Sequence, residues 1–417
     1  MTKLDLAFPG LLSASAGRPW ERPDAYWPQM TAATEHHSAP VVALGVEALS
    51  ANAHDMLRRA GGLPIRVASK SIRVREVLDA VLALPGYRGV LAYTLAEAVW
   101  LSDSIDDIVV AYPTADRAAI AALVTDGRAA SRVTVMIDSV DQLDLIDAVL
   151  PPAKRNTVRV CLDFDASWRS KLLGHIGVFR SPIHTAAALG ALAAEISARP
   201  GFTVVGVMSY EAQIAGVGDD PIGKPATGAL MRTIQRVSGA ELTERRAAAI
   251  AAVREVADLE FVNGGGTGSI ERTVSEGAVT EVAAGSGLFG PHLFDNYRQF
   301  TPAPAVAFAL DVVRRPNDDT ATLLGGGWIA SGPAGEDRLP RPVWPAGLSY
   351  ALREAAGEVQ TPVIGSAASG LRVGDRVWLR HTKSGEPMEH VDAVVPVEGG
   401  VAGDPLPTYR GEGKSFL

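Results

Sequence analysis

Lys70 closes a short β-branched run, Pro64-Ile65-Arg66-Val67-Ala68-Ser69-Lys70-Ser71, and apolar residues at helical spacing follow at once: Ile72, Val74, Val77, Leu78 and Val81. The run reads as a strand and the spacing as an amphipathic helix, so the lysine sits at the carboxyl end of a strand. In an α/β barrel that end carries the chemistry, because rigid strand ends hold reacting groups while loops supply specificity. A primary amine there can form a Schiff base with a carbonyl. A lone strand-end lysine can equally be a solvated residue, and the weight comes from a second motif. Phe261-Val262-Asn263-Gly264-Gly265-Gly266-Thr267-Gly268-Ser269 puts three glycines directly after a strand. Glycine allows positive φ and close approach of backbone to a ligand, and the start of the next helix offers N–H groups to an anion. The stretch Ala284-Gly285-Ser286-Gly287 repeats the theme after the next strand. Phosphate sites of barrels commonly use the loops after strands seven and eight. Gly265, Gly266, Thr267, Gly285 and Ser286 are therefore the expected phosphate residues.

Further polar groups fall at strand ends. Asp163, Asp165 and Arg169 follow a strand and could orient cofactor or substrate, or belong to a solvated loop. Tyr210 and Gln213 follow another strand, where an aromatic ring or amide can stack on or bond to a bound ring. His175, Arg180 and His184 are candidates for carboxylate recognition. His36, His37 and His54 have no motif around them and read as structural or solvated.

The elements that must position these groups are legible as alternating strands and helices. Strands are expected at Ile65–Ser69, Gly89–Ala92, Ile108–Ala111, Val133–Ile137, Val158–Phe164, Phe202–Met208, Leu259–Val262 and Val279–Ala283. Helices are expected near 72–84, 94–102, 115–128, 139–149, 183–198 and 242–257, with a short one near 269–276. Near-continuous apolar strands between amphipathic helices mean a parallel sheet covered by helices. Eight of them over roughly 220 residues match a closed (β/α)8 TIM barrel. From about Asp311 helical periodicity stops, and short apolar segments appear between Gly and Pro at 306–313, 321–324, 374–380 and 391–397. These predict a C-terminal antiparallel β domain. The expected organisation is a lead-in over residues 1–35 that packs on the β domain and supplies it with a strand, a barrel over 36–290, and a β domain over 291–417.

Composition bounds the class. The 417 residues are 47% hydrophobic and 21% charged, enough apolar material for a large core. A net charge of −8 without any basic block argues against a nucleic-acid partner. No run approaches the about 18 apolar residues of a membrane span. The N-terminus has no charged segment leading into an apolar one, so a cytoplasmic protein is expected. A single cysteine, Cys161, leaves no internal disulfide and no multi-cysteine metal site.

A lysine and a phosphate cradle at one barrel mouth suit a ligand with both a carbonyl and a phosphate. Pyridoxal phosphate meets that description, and so does a phosphorylated sugar held by a Schiff-base lysine. The motifs in order, Arg66-Val67-Ala68-Ser69-Lys70-Ser71, Glu97 in Thr94–Ala98, Gly206–Glu211, Gly264–Ser269 and Gly374–His381, resemble the fold-type III pyridoxal phosphate enzymes. The nearer branch is that of D-threonine aldolase and D-serine dehydratase. There the lysine stretch carries a histidine where this chain has Ala68. The resemblance implies pyridoxal 5'-phosphate on Lys70, with Arg169 and Tyr210 beside the cofactor and a homodimer as the assembly. It implies a lyase for a β-hydroxy D-amino acid, acting by retro-aldol cleavage or by dehydration and deamination. An amino-acid racemase and a non-catalytic carrier of the cofactor are the alternatives. The branch binds a divalent metal through a histidine and a cysteine or aspartate two residues on. This chain has His381-Thr382-Lys383, a histidine followed by an ammonium that cannot ligate. Either His381 and groups such as Glu386, His390 or Asp392 build a different metal site, or Lys383 supplies the charge. His381 then suits a base and Lys383 an acid acting on the β-hydroxyl.

Overall fold

The computed structural model describes residues 4–7 and 17–417. Much of the lead-in, residues 1–3 and 8–16, lies outside them. The chain divides into two compact units. One, the barrel unit, gathers Met56–Lys70, Pro85–Gly285 and Phe416–Leu417; the other, the β unit, gathers Met1–Asp55, Ser71–Leu84 and Ser286–Ser415. No helix among the described residues is long and apolar enough to cross a membrane.

The first strand among the described residues, β1 (Val41–Gly45), belongs to the β unit. The barrel unit then contributes β2 (Ile65–Ala68), β3 (Tyr87–Ala92), β4 (Ile108–Val110), β5 (Val133–Ile137) and β6 (Val158–Asp163). A hairpin of β7 (Trp168–Ser170) and β8 (Gly174–Ile176) interrupts the series. It resumes with β9 (Phe202–Ser209), β10 (Phe261–Gly264) and β11 (Glu281–Ala284). The eight, without the hairpin, close into a barrel in the order β2-β3-β4-β5-β6-β9-β10-β11. Every pairing is parallel, β11 closing on β2. All eight are the strands expected from the sequence. Buried on both faces, such strands read as continuous Val, Ile and Leu runs.

Inside the barrel Val109, Met136, Cys161, Val205, Met208 and Phe261 form one apolar cluster. Gly206 is required there, since a Cβ would lie 2.3 Å from the Phe261 ring. Arg66 is buried against the same ring, its guanidinium 5.1 Å from the centroid. Its charge is met by Glu281 at 2.6 Å and Asp107 at 2.8 Å. A buried cation must be paired in this way, because leaving water unpaired costs several kcal/mol.

The helix expected at 242–257 runs over Pro225–Arg254. Its first half, with Gly228, Ser238 and Gly239, has weak helix propensity. Packing explains Gly239: a Cβ would lie 2.1 Å from the Arg272 guanidinium carbon. Pro225 stands at the first turn, where a missing N–H is harmless.

The β unit is built on β12 (Val306–Asn317), β13 (Thr320–Leu324), β14 (Arg341–Trp344), β15 (Ser349–Tyr350), β16 (Gln360–Ile364), β17 (Arg376–Arg380) and β18 (Ala393–Glu398). β12 pairs antiparallel with β1, β13 and β17, while β1 also pairs parallel with β18. Of the lead-in, Pro23–Ala33 enters this unit as a helix rather than a strand. Trp27 packs on Trp378 with ring centroids 5.6 Å apart, and the Trp378 indole N–H donates to Thr31 Oγ1 at 2.8 Å. The helix after Lys70, Arg75–Leu82, also groups with the β unit. Arg73 pairs there with Glu389 at 2.6 Å and Arg75 with Glu412 at 2.8 Å.

Candidate active site

Because all eight barrel strands are parallel, their carboxyl ends lie at one end of the barrel unit. Lys70 follows β2 in a single 3-10 turn, Ser69–Ser71, whose Ser69 Oγ donates to the Leu91 carbonyl on β3 at 3.2 Å. The lysine is exposed and its Nζ donates to Tyr112 Oη at 3.2 Å. Tyr112 follows β4. The guanidinium of Arg180 lies 5.2 Å from the ring centroids of both Tyr112 and Tyr210, so one cation bridges two aromatic faces. Burial works to raise the Tyr112 hydroxyl, but the Lys70 and Arg180 cations outweigh it together and hold it below its ordinary value. Tyr210, at the end of β9, is pushed by burial up to about 12. Asp163 ends β6, and its buried carboxyl has no hydrogen-bond donor among the described residues. Burial first, then the Asp138 carboxylate, push it up to about 7.

The glycine loop is fixed from beneath. Glu211, fully buried after β9, accepts from Gly265 N at 3.1 Å, Ser269 Oγ at 3.1 Å and Thr273 Oγ1 at 2.5 Å. Burial works against its charge, but Arg246 at 2.8 Å overrides that and holds the carboxyl below its usual range. Arg246 in turn pairs with Glu276 at 2.6 Å. Gly265 has φ +81°, a conformation glycine adopts without strain. A Cβ on Gly266 would lie 3.0 Å from Ala215 Cβ and 3.1 Å from the Tyr210 ring. The loop backbone therefore runs close against Tyr210. The N–H groups of Gly265 and Gly266 are bonded internally, to Glu211 and to Ser269 Oγ at 3.2 Å. Thr267 is buried, and its carbonyl accepts from Arg59 at 2.7 Å. Gly285 packs on β2, where a Cβ would lie 2.6 Å from the Ala68 carbonyl oxygen.

The connection after β6 holds the next group. Asp165 accepts from Ser167 N at 2.9 Å, Ser167 Oγ at 2.7 Å and His184 Nδ1 at 3.0 Å. Arg169 is exposed, 3.7 Å from the same carboxylate. Burial first, with Arg245 and Arg169 nearby, lowers the His184 pKa. Gln213 donates to the Ala166 carbonyl at 2.7 Å, while its buried Oε1 has no partner among the described residues.

Ser286, His381 and Lys383 belong to the β unit. Ser384 Oγ donates to the Ser286 carbonyl at 2.8 Å. His381 is buried, its Nδ1 3.1 Å from the Val306 carbonyl and its Nε2 3.4 Å from Ser384 Oγ. Burial, then the Arg380 charge, push its pKa down to about 3. Lys383 donates to Ser331 Oγ at 3.2 Å, and Ser331 donates through Oγ and N to Glu386 at 2.6 and 2.9 Å. His390 stacks on Trp328 at 4.8 Å, and Asp392 pairs with Arg410 at 3.1 Å. Among the described residues no three His, Cys, Asp or Glu side chains converge as a metal site. One imidazole with hydroxyls and an ammonium does not fit a divalent cation.

The barrel unit thus brings together Lys70, Tyr210 and, through Arg180, the connection that bears Arg169. Tyr112, at the Lys70 amine, and Glu211, beneath the glycine loop, are not singled out as site residues by the sequence reading. The one available signal for Tyr112 was a hydroxyl two residues past a strand, the kind of place Tyr210 occupies after β9. Glu211 meets partners 35 to 62 positions away in sequence, which no local pattern reveals.

The model of the alanine racemase N-terminal domain matches residues 45–292. No curated protein matches the sequence. Among solved structures, D-threonine aldolase from Filomicrobium marinum superposes with a TM-score of 0.73 at 20% identity, covering 90% of this chain and 95% of that one. D-threo-3-hydroxyaspartate dehydratase from Delftia sp. HT23 gives 0.67 at 16% identity, covering 89% and 97%. Alanine racemase from E. faecalis gives 0.56 at 14%, covering 82% and 88%. These likenesses bear out the barrel followed by a β domain and the resemblance drawn from the motifs. The match over more than half of its length shows that the chain belongs to the alanine racemase N-terminal domain family.

Proposed function

We propose that this protein is a pyridoxal phosphate-dependent lyase acting on a β-hydroxy D-amino acid. The observation that carries the proposal is the amine of Lys70 at a strand end, 3.2 Å from Tyr112 Oη, in the unit whose glycine loop runs against Tyr210. These residues fit the cofactor: an amine for its aldehyde, aromatic rings for its ring, and a loop free of side chains at Gly264–Gly266 for its phosphate. Lys70 would hold the aldehyde carbon. Thr267 and the loop backbone beyond it would meet the phosphate, since the Gly265 and Gly266 amides serve the loop itself. When bound, the cofactor supplies an electron sink that makes bonds at the substrate Cα labile.

The chain's own groups divide the remaining work. Tyr112, held below its ordinary pKa by two cations, can exchange a proton with Lys70 across their hydrogen bond. Asp163, raised to about 7, can give or take a proton near neutral pH, as a general acid or base must. Arg180 offers a guanidinium for the substrate carboxylate. His381 and Lys383 remain proposals for the β-hydroxyl, tested by substitution alongside the barrel residues. A homodimer is proposed on the same resemblance, and a cytoplasmic setting is proposed as the default beside it.

The reaction is settled by product. The purified protein, loaded with pyridoxal phosphate, is incubated with D-threonine, D-serine and D-alanine, with and without chelator and added divalent metal. Aldehyde release identifies the aldolase and 2-oxo acid release the dehydratase. Exchange of the α-proton without either product would replace the lyase by a racemase. Turnover of none, with cofactor bound, would leave a carrier.

A further inference from the structure

The connection between β6 and β9 encloses a cleft of about 720 Å³, within the range of small-ligand sites. Its lining carries Arg169, Lys171 and Arg180 against a single carboxylate, Asp165. In a chain of net charge −8 this local excess of cations runs against the bulk composition. Asp165 offsets only one of the three, pairing with Arg169 at 3.7 Å while it also accepts from Ser167 and His184. Among the described residues Arg180 and Lys171 have neither an ion pair nor a side-chain hydrogen bond; Arg180 only rests on the Tyr112 and Tyr210 rings, 5.2 Å from each centroid. His175 adds a donor or acceptor: its ring stacks on Phe179 at 4.1 Å, and its buried Nε2 lacks a partner among the described residues.

Cations gathered around one cavity repel each other, and an anion placed among them relieves that repulsion. Arg180 also links the cleft to the amine, for the ring it covers on Tyr112 belongs to the residue that bonds Lys70. An amino acid bound at the cofactor on Lys70 has one carboxylate for Arg180, Asp165 faces Arg169, and Lys171 is left without one.

We infer that the cleft beside Lys70 selects substrates with a second anionic group, so that the amino acid processed carries a distal carboxylate beyond the one on its α-carbon. This rests on Lys70 as the anchor of the cofactor that takes the amino acid, as proposed above. Lys171 serves specificity rather than bond breaking, since it lies on the connection and not at the amine.

Succinate and butyrate, amine-free acids of equal chain length, are titrated calorimetrically into the protein as purified with its cofactor, at low salt. Succinate is expected to bind about tenfold more tightly than butyrate, the scale of one added charge-assisted contact. Lys171→Gln should remove most of that advantage and leave butyrate unchanged. Lys171 is exposed, so the variant is expected to fold. Equal affinities, an advantage untouched by the variant, or no succinate binding at about 50 mM would overturn the inference, that ceiling lying above a millimolar constant worth only about 4 kcal/mol. In parallel, borohydride labelling of Lys70 reads the cofactor proposal alone. A succinate preference without a labelled lysine would sink that proposal and keep the cleft, and a labelled lysine without the preference would do the reverse.

Discussion

At the scale of single residues, the account depends on a few charges placed near one amine. Tyr112 is the clearest case, because Lys70 and Arg180 together overcome the effect of burial on its hydroxyl. Tyr112→Phe removes the proton and keeps the ring that supports Arg180. It should lower kcat about 100-fold, the usual scale for a lost acid or base, while the cofactor stays on Lys70. Unchanged turnover would remove Tyr112 from the chemistry. Asp163 makes a stability prediction. Its carboxyl is neutral in the folded protein below about 7 but ionises in the unfolded chain above the ordinary value near 4. Between those limits the folded state binds the extra proton, so the group's contribution to stability falls as pH rises. Asp163→Asn should therefore gain about 4 kcal/mol over the parent at pH 8 and little at pH 4, read from urea midpoints. A difference constant across that range would contradict the buried carboxyl. Lys70 and the glycines were legible in the sequence because each sits in a run with a local signature. Tyr112, Glu211 and the pairing of Arg180 with two rings were not, because they depend on strands that are neighbours only after the barrel closes.

Among the elements, the loop Gly264–Ser269 is organised by the buried Glu211–Arg246–Glu276 network rather than by its own sequence. Removing one partner of a buried ion pair strands the other, at a cost of about 3–5 kcal/mol. Glu211→Gln keeps the shape and one acceptor, so a loss near the lower end, about 3 kcal/mol, is expected with weaker retention of pyridoxal phosphate. Unfolding by urea and cofactor release on gel filtration measure the two effects; a stable variant that holds cofactor normally would mean that the loop stands without Glu211. The barrel strands could be read because burial on both faces leaves apolar runs without polar alternation. β14 and β16 escaped because Pro342 and Pro362 interrupt them, and proline inside a run argues against a strand. The hairpin of β7 and β8 escaped because three-residue strands carry too little pattern. That hairpin borders the cationic cleft, whose Arg169, His175 and Arg180 the sequence did offer as candidates while hiding the cleft they share.

For the whole molecule, the family and the fold are those that the motifs led one to expect, and the assembly and the cofactor are what solution experiments must supply. A homodimer predicts a light-scattering mass of about twice 43.7 kDa at working concentration. A mass of one chain would contradict it. The β-unit histidines bear on handling of the protein in acid. Burial depresses His381 to about 3 and His292 to about 4, so below the ordinary value of 6.5 the unfolded chain takes up protons that the folded one refuses. Their stabilisation is complete above that value and declines as pH falls toward 4, by up to about 1.4 kcal/mol per unit for each. The most direct test of the central claim is borohydride reduction of the protein after incubation with pyridoxal phosphate, followed by mass mapping of its peptides. The account predicts a visible absorbance band that borohydride abolishes, a single pyridoxyl group on Lys70, and a Lys70→Ala variant without the band. A protein that takes up no cofactor, or one labelled at another lysine while Lys70 stays unmodified, would contradict it.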